Sequence, residues 1–216
     1  DIRSIAKLCK EKGMLLLVDE AHGAHFTFSR LLPDTAINLG ADIAVSSFHK
    51  TLPACTQTAV LNLSSSLSIN QIENIESKLE MFQSSSPSYI LLASIDMARY
   101  IMQEKGEKLI ESLKSNINYL KEALKDITDI KILDESYLDN ERHDFTRLVI
   151  NTPINGNDLS ILLRDKYKIQ VEMADFNNIV LVGTVSDIRV IYEITVYALR
   201  DIFISSKSNR SDKKTL

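Results

Sequence analysis

Residues 2–12 repeat apolar positions at helical spacing, with Ile2, Ile5, Ala6, Leu8 and Cys9 on one face. Gly13 follows, where a helix C-terminus favours a left-handed residue. Met14–Val18 is then an unbroken apolar run. Continuous rather than alternating apolarity predicts a strand buried on both faces, as in a parallel sheet with helices above and below. Pro33–Leu39 has a helix-like pattern ended by Gly40. Asp42–Ser46 reads as a second buried strand, and Thr58–Leu63 as a third after a turn at Pro53. Strands alternating with helices are the mark of an α/β layer.

From Ile69 the period becomes helical and stays so to Ile127, with breaks at Ser84–Pro87 and near Gly106. Between the breaks, Tyr89, Leu92, Ala93, Asp96 and Tyr100 form one mostly apolar helix face. Leu109–Leu124 is a longer amphipathic helix leading towards a second domain. Beyond it, Ile130–Leu133, Arg147–Ile150 and Val180–Val182 read as strands, and Asp158–Tyr167 and Asp187–Phe203 as helices. The organisation predicted is a first domain over 1–127, a small α+β domain over 128–204 and a disordered polar tail over 205–216.

Composition narrows this only by exclusion. The chain has 216 residues, 44% apolar and 25% charged, ordinary for a globular protein. A formal charge of −4 argues against a nucleic-acid binder, which needs clustered Lys and Arg. No apolar run approaches the ~18–20 residues that span a bilayer. Cys9 and Cys55 give neither a disulfide framework nor metal-ligand spacing, so a cytoplasmic protein without a metal is expected. The chain starts at Asp1 and enters a helix at once, which leads us to expect a piece of a longer polypeptide.

The chemistry is concentrated in two segments. VDEAHGAHF (18–26) directly follows the first strand, so Asp19 should emerge at a strand carboxyl end, where open α/β sheets place their ligands. A carboxylate there can hold a pyridine nitrogen protonated and make the ring an electron sink. A helicase reading of Asp-Glu-Ala-His fails for want of a GxxxxGK[ST] loop. A zinc reading of His22 and His25 fails for want of further ligands at matching spacing. SSFHKTLPACTQTAVL (46–61) follows the second strand and should reach the same sheet edge. Lys50 is an amine able to form a Schiff base with an aldehyde, and Ser47 and His49 suit a phosphate ester. Together these residues point to pyridoxal 5'-phosphate (PLP) on Lys50, opposite Asp19.

DEAHGAHF, S-x-HKTLPA-x-TQ and, further on, QSSSPSYILLASIDMAR (83–99) resemble the ornithine/lysine/arginine decarboxylase family. The resemblance implies part of a fold-type I, aspartate aminotransferase-like PLP large domain followed by a small α+β domain. It implies that Asp19 pairs with the ring nitrogen, Ala21 lies under the ring and His22 sits near its hydroxyl side. Lys50 would form the internal aldimine, Ser47 and His49 would meet the phosphate, and Ser86 would lie at a dimer interface. Cys55 stands where a plain apolar residue is expected; as a small hydrophobe it changes little. The implied reaction is decarboxylation of a basic amino acid to its amine in polyamine metabolism or acid resistance. Lys50 or a nearby histidine would return the proton, with Lys50, Asp19 and His22 as catalytic residues. The implied partners are the small-molecule substrate and a second copy in a homodimer or larger homo-oligomer, with no nucleic acid or membrane. Two alternatives remain: a non-catalytic remnant, and an α-oxoamine synthase-like transferase, whose lysine lies in a different sequence context. We expect the family's N-terminal phosphate-binding turn, ring-stacking group and C-terminal domain to lie outside these residues.

Overall fold

The structure is a computed structural model. It describes residues 1–133 and 143–211, and for 205–211 the backbone alone. The chain divides into two compact units, Asp1–Glu107 and a second beginning at Lys108.

The first unit opens with helix α1 (Ile2–Glu11), whose first turn is capped by the Asp1 carboxylate accepting from the Arg3 amide at 3.0 Å. Gly13, at φ +66°, lets the chain reverse, and the Met14 amide donates to Cys9 O at 2.9 Å. Strands β1 (Leu17–Asp19), β2 (Ile43–Ser47) and β3 (Ala59–Leu63) form a sheet in that order. β1 and β2 run parallel, with Asp19 opposite Val45, while β2 and β3 run antiparallel. On one sheet face Ala36, Ala41 and Ala44 pack with Ile2, Leu16, Val18 and Ile37. The other face carries the alternate residues, and Leu17 is 64% exposed. The expectation of a first strand buried on both faces is therefore corrected: Leu16 and Val18 pack inward, whereas Met14, Leu15 and Leu17 are exposed. The same holds for α1, where Cys9 is buried but Ile5 and Leu8 are exposed.

Pro33–Leu39 is not a helix. It folds as turns, closed by the Ala41 amide donating to Ala36 O at 2.9 Å, with Gly40 at φ +103°. Helix α2 (Phe48–Thr51) is a single turn, and α3 (Ile69–Phe82) begins with a reciprocal Ser68–Gln71 capping box. Helix α4 (Tyr89–Leu124) runs through Gly106 without a break. Gly106 serves close approach instead, since a Cβ there would come 3.1 Å from Phe28 Cβ. The face expected to pack is also corrected. Tyr89, Leu92, Ala93, Asp96 and Tyr100 are exposed, and the inward line runs Leu91, Ser94, Ile95, Ala98 and Met102. Both sides of this segment are apolar, so periodicity could not choose between them.

The second unit holds an antiparallel sheet ordered β4-β5-β7-β6: β4 (Lys131–Ile132), β5 (Arg147–Asn151), β6 (Met173–Ala174) and β7 (Asn178–Val182). Two-residue β6 carries no period that the sequence could reveal. Helices α5 (Gly156–Tyr167) and α6 (Arg189–Ser211) complete the unit with the C-terminal half of α4. Its fully buried side chains include Ile110, Ile117, Leu120, Ile150, Leu159, Ile179 and Leu199. α6 continues to Ser211, through the first part of the tail expected to be disordered; 212–216 lie outside the described residues. The division between units falls inside α4, earlier than the boundary expected at residue 127. No helix among the described residues is long and apolar enough to cross a membrane.

Candidate active site

Because β1 and β2 are parallel, their carboxyl ends lie at one sheet edge, and both sequence motifs emerge there. The backbone ladder continues past the strands to join them: the Glu20 amide donates to Val45 O at 2.9 Å, and the Ser47 amide to Ala21 O at 3.2 Å. Asp19 is exposed at the end of β1, where its Oδ1 accepts from the Ala21 amide at 3.0 Å. Oδ2 takes no hydrogen bond from the described residues and faces no competition for a ligand N–H.

Lys50, on α2, places Nζ 3.4 Å from His22 Nε2. The ring can accept from the ammonium or donate to the free amine, according to which group carries the proton. His49 turns its Nδ1 to Thr58 O at 3.0 Å, which makes Nδ1 the donor to that carbonyl and directs Nε2 away from it. Ser47 sits at the N-cap of α2 without its side chain capping the helix. Ser86 is not brought to this group. It lies in the exposed connection between α3 and α4, with its amide donating to Ser84 Oγ at 3.1 Å.

The turn between Asp19 and β2 is held by Glu20, whose Oε1 accepts from the Ala36 amide at 2.7 Å. Burial pushes the Glu20 carboxyl above its ordinary value, against the smaller lowering effects of the Ala36 amide and His25. Gly23 is required for this packing, since a Cβ would come 2.4 Å from Glu20 Cγ. A cavity of about 490 Å³ opens beside Glu20, Phe28, Ser46, Phe48 and Asn62, but Asp19, His22 and Lys50 do not line it. Alternation along β2 points Ser46 and Ser47 to opposite faces, so the concavity lies behind the motif edge.

Sequence reading missed two hydroxyls that hold the Lys50 loop. Thr58, buried at 1% exposure, donates from Oγ1 to Cys55 O at 2.7 Å, and Ser94 Oγ accepts from the Cys55 amide at 2.7 Å. For Ser94 on α4 and Thr58 just before β3, the sequence gives no signal.

A covalent amine, a carboxylate with one oxygen available and an imidazole beside the amine form a donor set that fits a pyridine aldehyde. Residues 1–150 match the pattern of the family described as Orn/Lys/Arg decarboxylase, major domain. The chain belongs to that family.

An arginine decarboxylase of Bacillus cereus is 32% identical over 219 residues, which cover 99% of this chain and 47% of the relative. That of Bacillus subtilis is 34% identical over 208 residues, covering 94% and 42%. The chain thus spans less than half the length of these family members. Among solved structures, lysine decarboxylase A from Pseudomonas aeruginosa has a TM-score of 0.76 at 17% identity, covering 94% of this chain and 35% of that one. A NifS-like protein from Rickettsia africae has a TM-score of 0.71 at 17% identity, covering 94% and 57%. These two likenesses show the fold alone.

Proposed function

We propose that this chain supplies the cofactor-anchoring part of a PLP-dependent decarboxylase acting on arginine, lysine or ornithine. The observation that carries the reading is the meeting of Lys50 Nζ and His22 Nε2 at 3.4 Å, at the sheet edge that also carries Asp19.

Lys50 would hold the cofactor covalently, Asp19 Oδ2 would accept from its ring nitrogen, and Ala21 would lie under the ring. Ser47 and the Nε2 side of His49 would meet its phosphate. When bound, PLP supplies an electron sink for the pair released as carbon dioxide leaves the substrate. The protein's own part is electrostatic and positional. The Asp19 carboxylate would keep a proton on the ring nitrogen by ion pairing. Lys50 Nζ and His22 Nε2 are close enough for a proton to pass between them, so His22 would receive it where the amine must be neutral. The Thr58 carbonyl prevents the His49 ring from rotating, so Nε2 keeps one direction.

The family match favours decarboxylation over the transferase alternative, which the fold alone would not decide. A second copy of the chain is the expected partner, with Ser86 near that interface. The test is release of carbon dioxide from carboxyl-labelled arginine, lysine and ornithine, with PLP present. Release from one of the three, lost in Lys50→Ala, is expected. Absence of release from all three, with cofactor attached at Lys50, would instead support a non-catalytic remnant.

A further inference from the structure

We propose that Ser94 is a positioning residue for Lys50, acting through a hydroxyl clamp on the backbone of Cys55. The inference rests on the reading of Lys50 as the cofactor anchor and adds a residue from a different element.

The loop leaving Lys50 must return from α2 to β3 within a few residues, and it does so through Gln57 in the left-handed region at φ +75°. A side-chain-bearing residue holds that conformation only when its surroundings impose it. The imposing contacts converge on Cys55. Its amide donates to Ser94 Oγ at 2.7 Å, and its carbonyl accepts from Thr58 Oγ1 at 2.7 Å. Thr58 in turn fixes both residues ahead of Lys50: its carbonyl accepts from the Phe48 amide at 3.0 Å and from His49 Nδ1 at 3.0 Å. The Leu52 amide then closes α2 onto Phe48 O at 2.9 Å.

Phe48, His49, Cys55 and Thr58 all belong to the Lys50 segment, whose two ends are held by the Ser47–Ala59 pair of β2 and β3. Ser94 belongs to α4. Its hydroxyl is the side-chain hydrogen bond on the far side of Lys50 that ties the loop to another element, as Ala21 O ties Ser47 on the near side. Cys55 is itself exposed, so apolar packing of its side chain cannot substitute for the bond. Without Ser94 the loop keeps its internal bonds and its strand anchors but loses its tie to α4 at Cys55, which loosens the Nζ position relative to His22 and Asp19.

Wild type, Ser94→Ala, Ser94→Thr and Lys50→Ala are mixed with PLP, and the rate of covalent attachment is followed by absorbance and by borohydride trapping. The pH midpoint of the bound-cofactor absorbance is measured alongside. Ser94→Ala should attach about 5-fold more slowly, the loss expected for one net hydrogen bond. Its pH midpoint should also move, because the Lys50–His22 contact is altered. Ser94→Thr, which keeps the hydroxyl, should return both values to those of wild type. Ser94→Ala matching wild type in rate and midpoint overturns the positioning role while leaving Lys50 as anchor. Failure of wild type itself to attach overturns the anchor reading and this inference with it. Should Ser94→Ala misfold, hydrogen exchange on wild type decides. The exposed Cys55 amide should be protected relative to those of Thr56 and Gln57, and equal exchange would refute the clamp.

Discussion

Glu20 lies between the two chemical motifs and shows how one residue can serve the fold rather than the reaction. Burial raises its carboxyl above the ordinary value, so the folded first unit holds that proton more tightly than the unfolded chain does. By linkage, this contribution to stability is complete below the ordinary carboxylate value and is lost as pH rises through Glu20's raised value. Glu20→Gln keeps an oxygen for the Ala36 amide and removes the titration. We expect the urea midpoint of the wild type to fall more steeply than that of the variant as pH rises from acid to neutral. Parallel slopes would contradict this account. At this scale, Asp19, His22 and Lys50 were legible because their types and order carry chemistry. Ser94 and Thr58 were not, because an isolated hydroxyl has no pattern until the chain folds back on itself.

The elements were legible wherever one period dominated. β1, β2, β3, α3, α5 and β7 lie within a few residues of the positions predicted from apolar runs and caps. Misreadings occurred where two arrangements satisfied the same pattern. α4 carries apolar residues on both sides, so the buried line through Leu91, Ser94 and Ala98 could not be told from the exposed one through Tyr89 and Tyr100. Gly106 looked like a break and is a packing glycine instead, tolerated in the helix because Phe28 approaches it. Gly156 shows the same logic more severely. It starts α5, and a Cβ there would lie 2.3 Å from Asn178 O and 2.4 Å from Asp175 O, both backbone atoms with little freedom to move. Gly156→Ala should destabilise the second unit by about 2–3 kcal/mol, although alanine is the better helix former. Denaturant unfolding followed by a probe in that unit checks this, and a stabilised variant would show the packing to be loose.

Across the molecule, the switch between strand and helix periods pointed to an α/β layer followed by further strands and helices. The point of division was not readable, because α4 is continuous across it. Apolar side chains at Met81, Phe82, Tyr89 and Ile90 are 68–86% exposed, and Leu17 on the open face of the first sheet is 64% exposed. The sequence could flag these residues as apolar but could not show that the described chain leaves them uncovered. The candidate site is open in the same sense: Asp19 and Lys50 are exposed, and the parallel β1–β2 pair brings both motifs to one edge. The central claim is that Lys50, among all the lysines of the chain, is the one built to hold PLP. It is tested most directly by incubating the protein with PLP, reducing with borohydride and mapping the modified lysine by peptide mass spectrometry. We predict a pyridoxyl group on the peptide containing Lys50, absent in Lys50→Ala. Modification spread over surface lysines with none preferred at Lys50 would contradict the account.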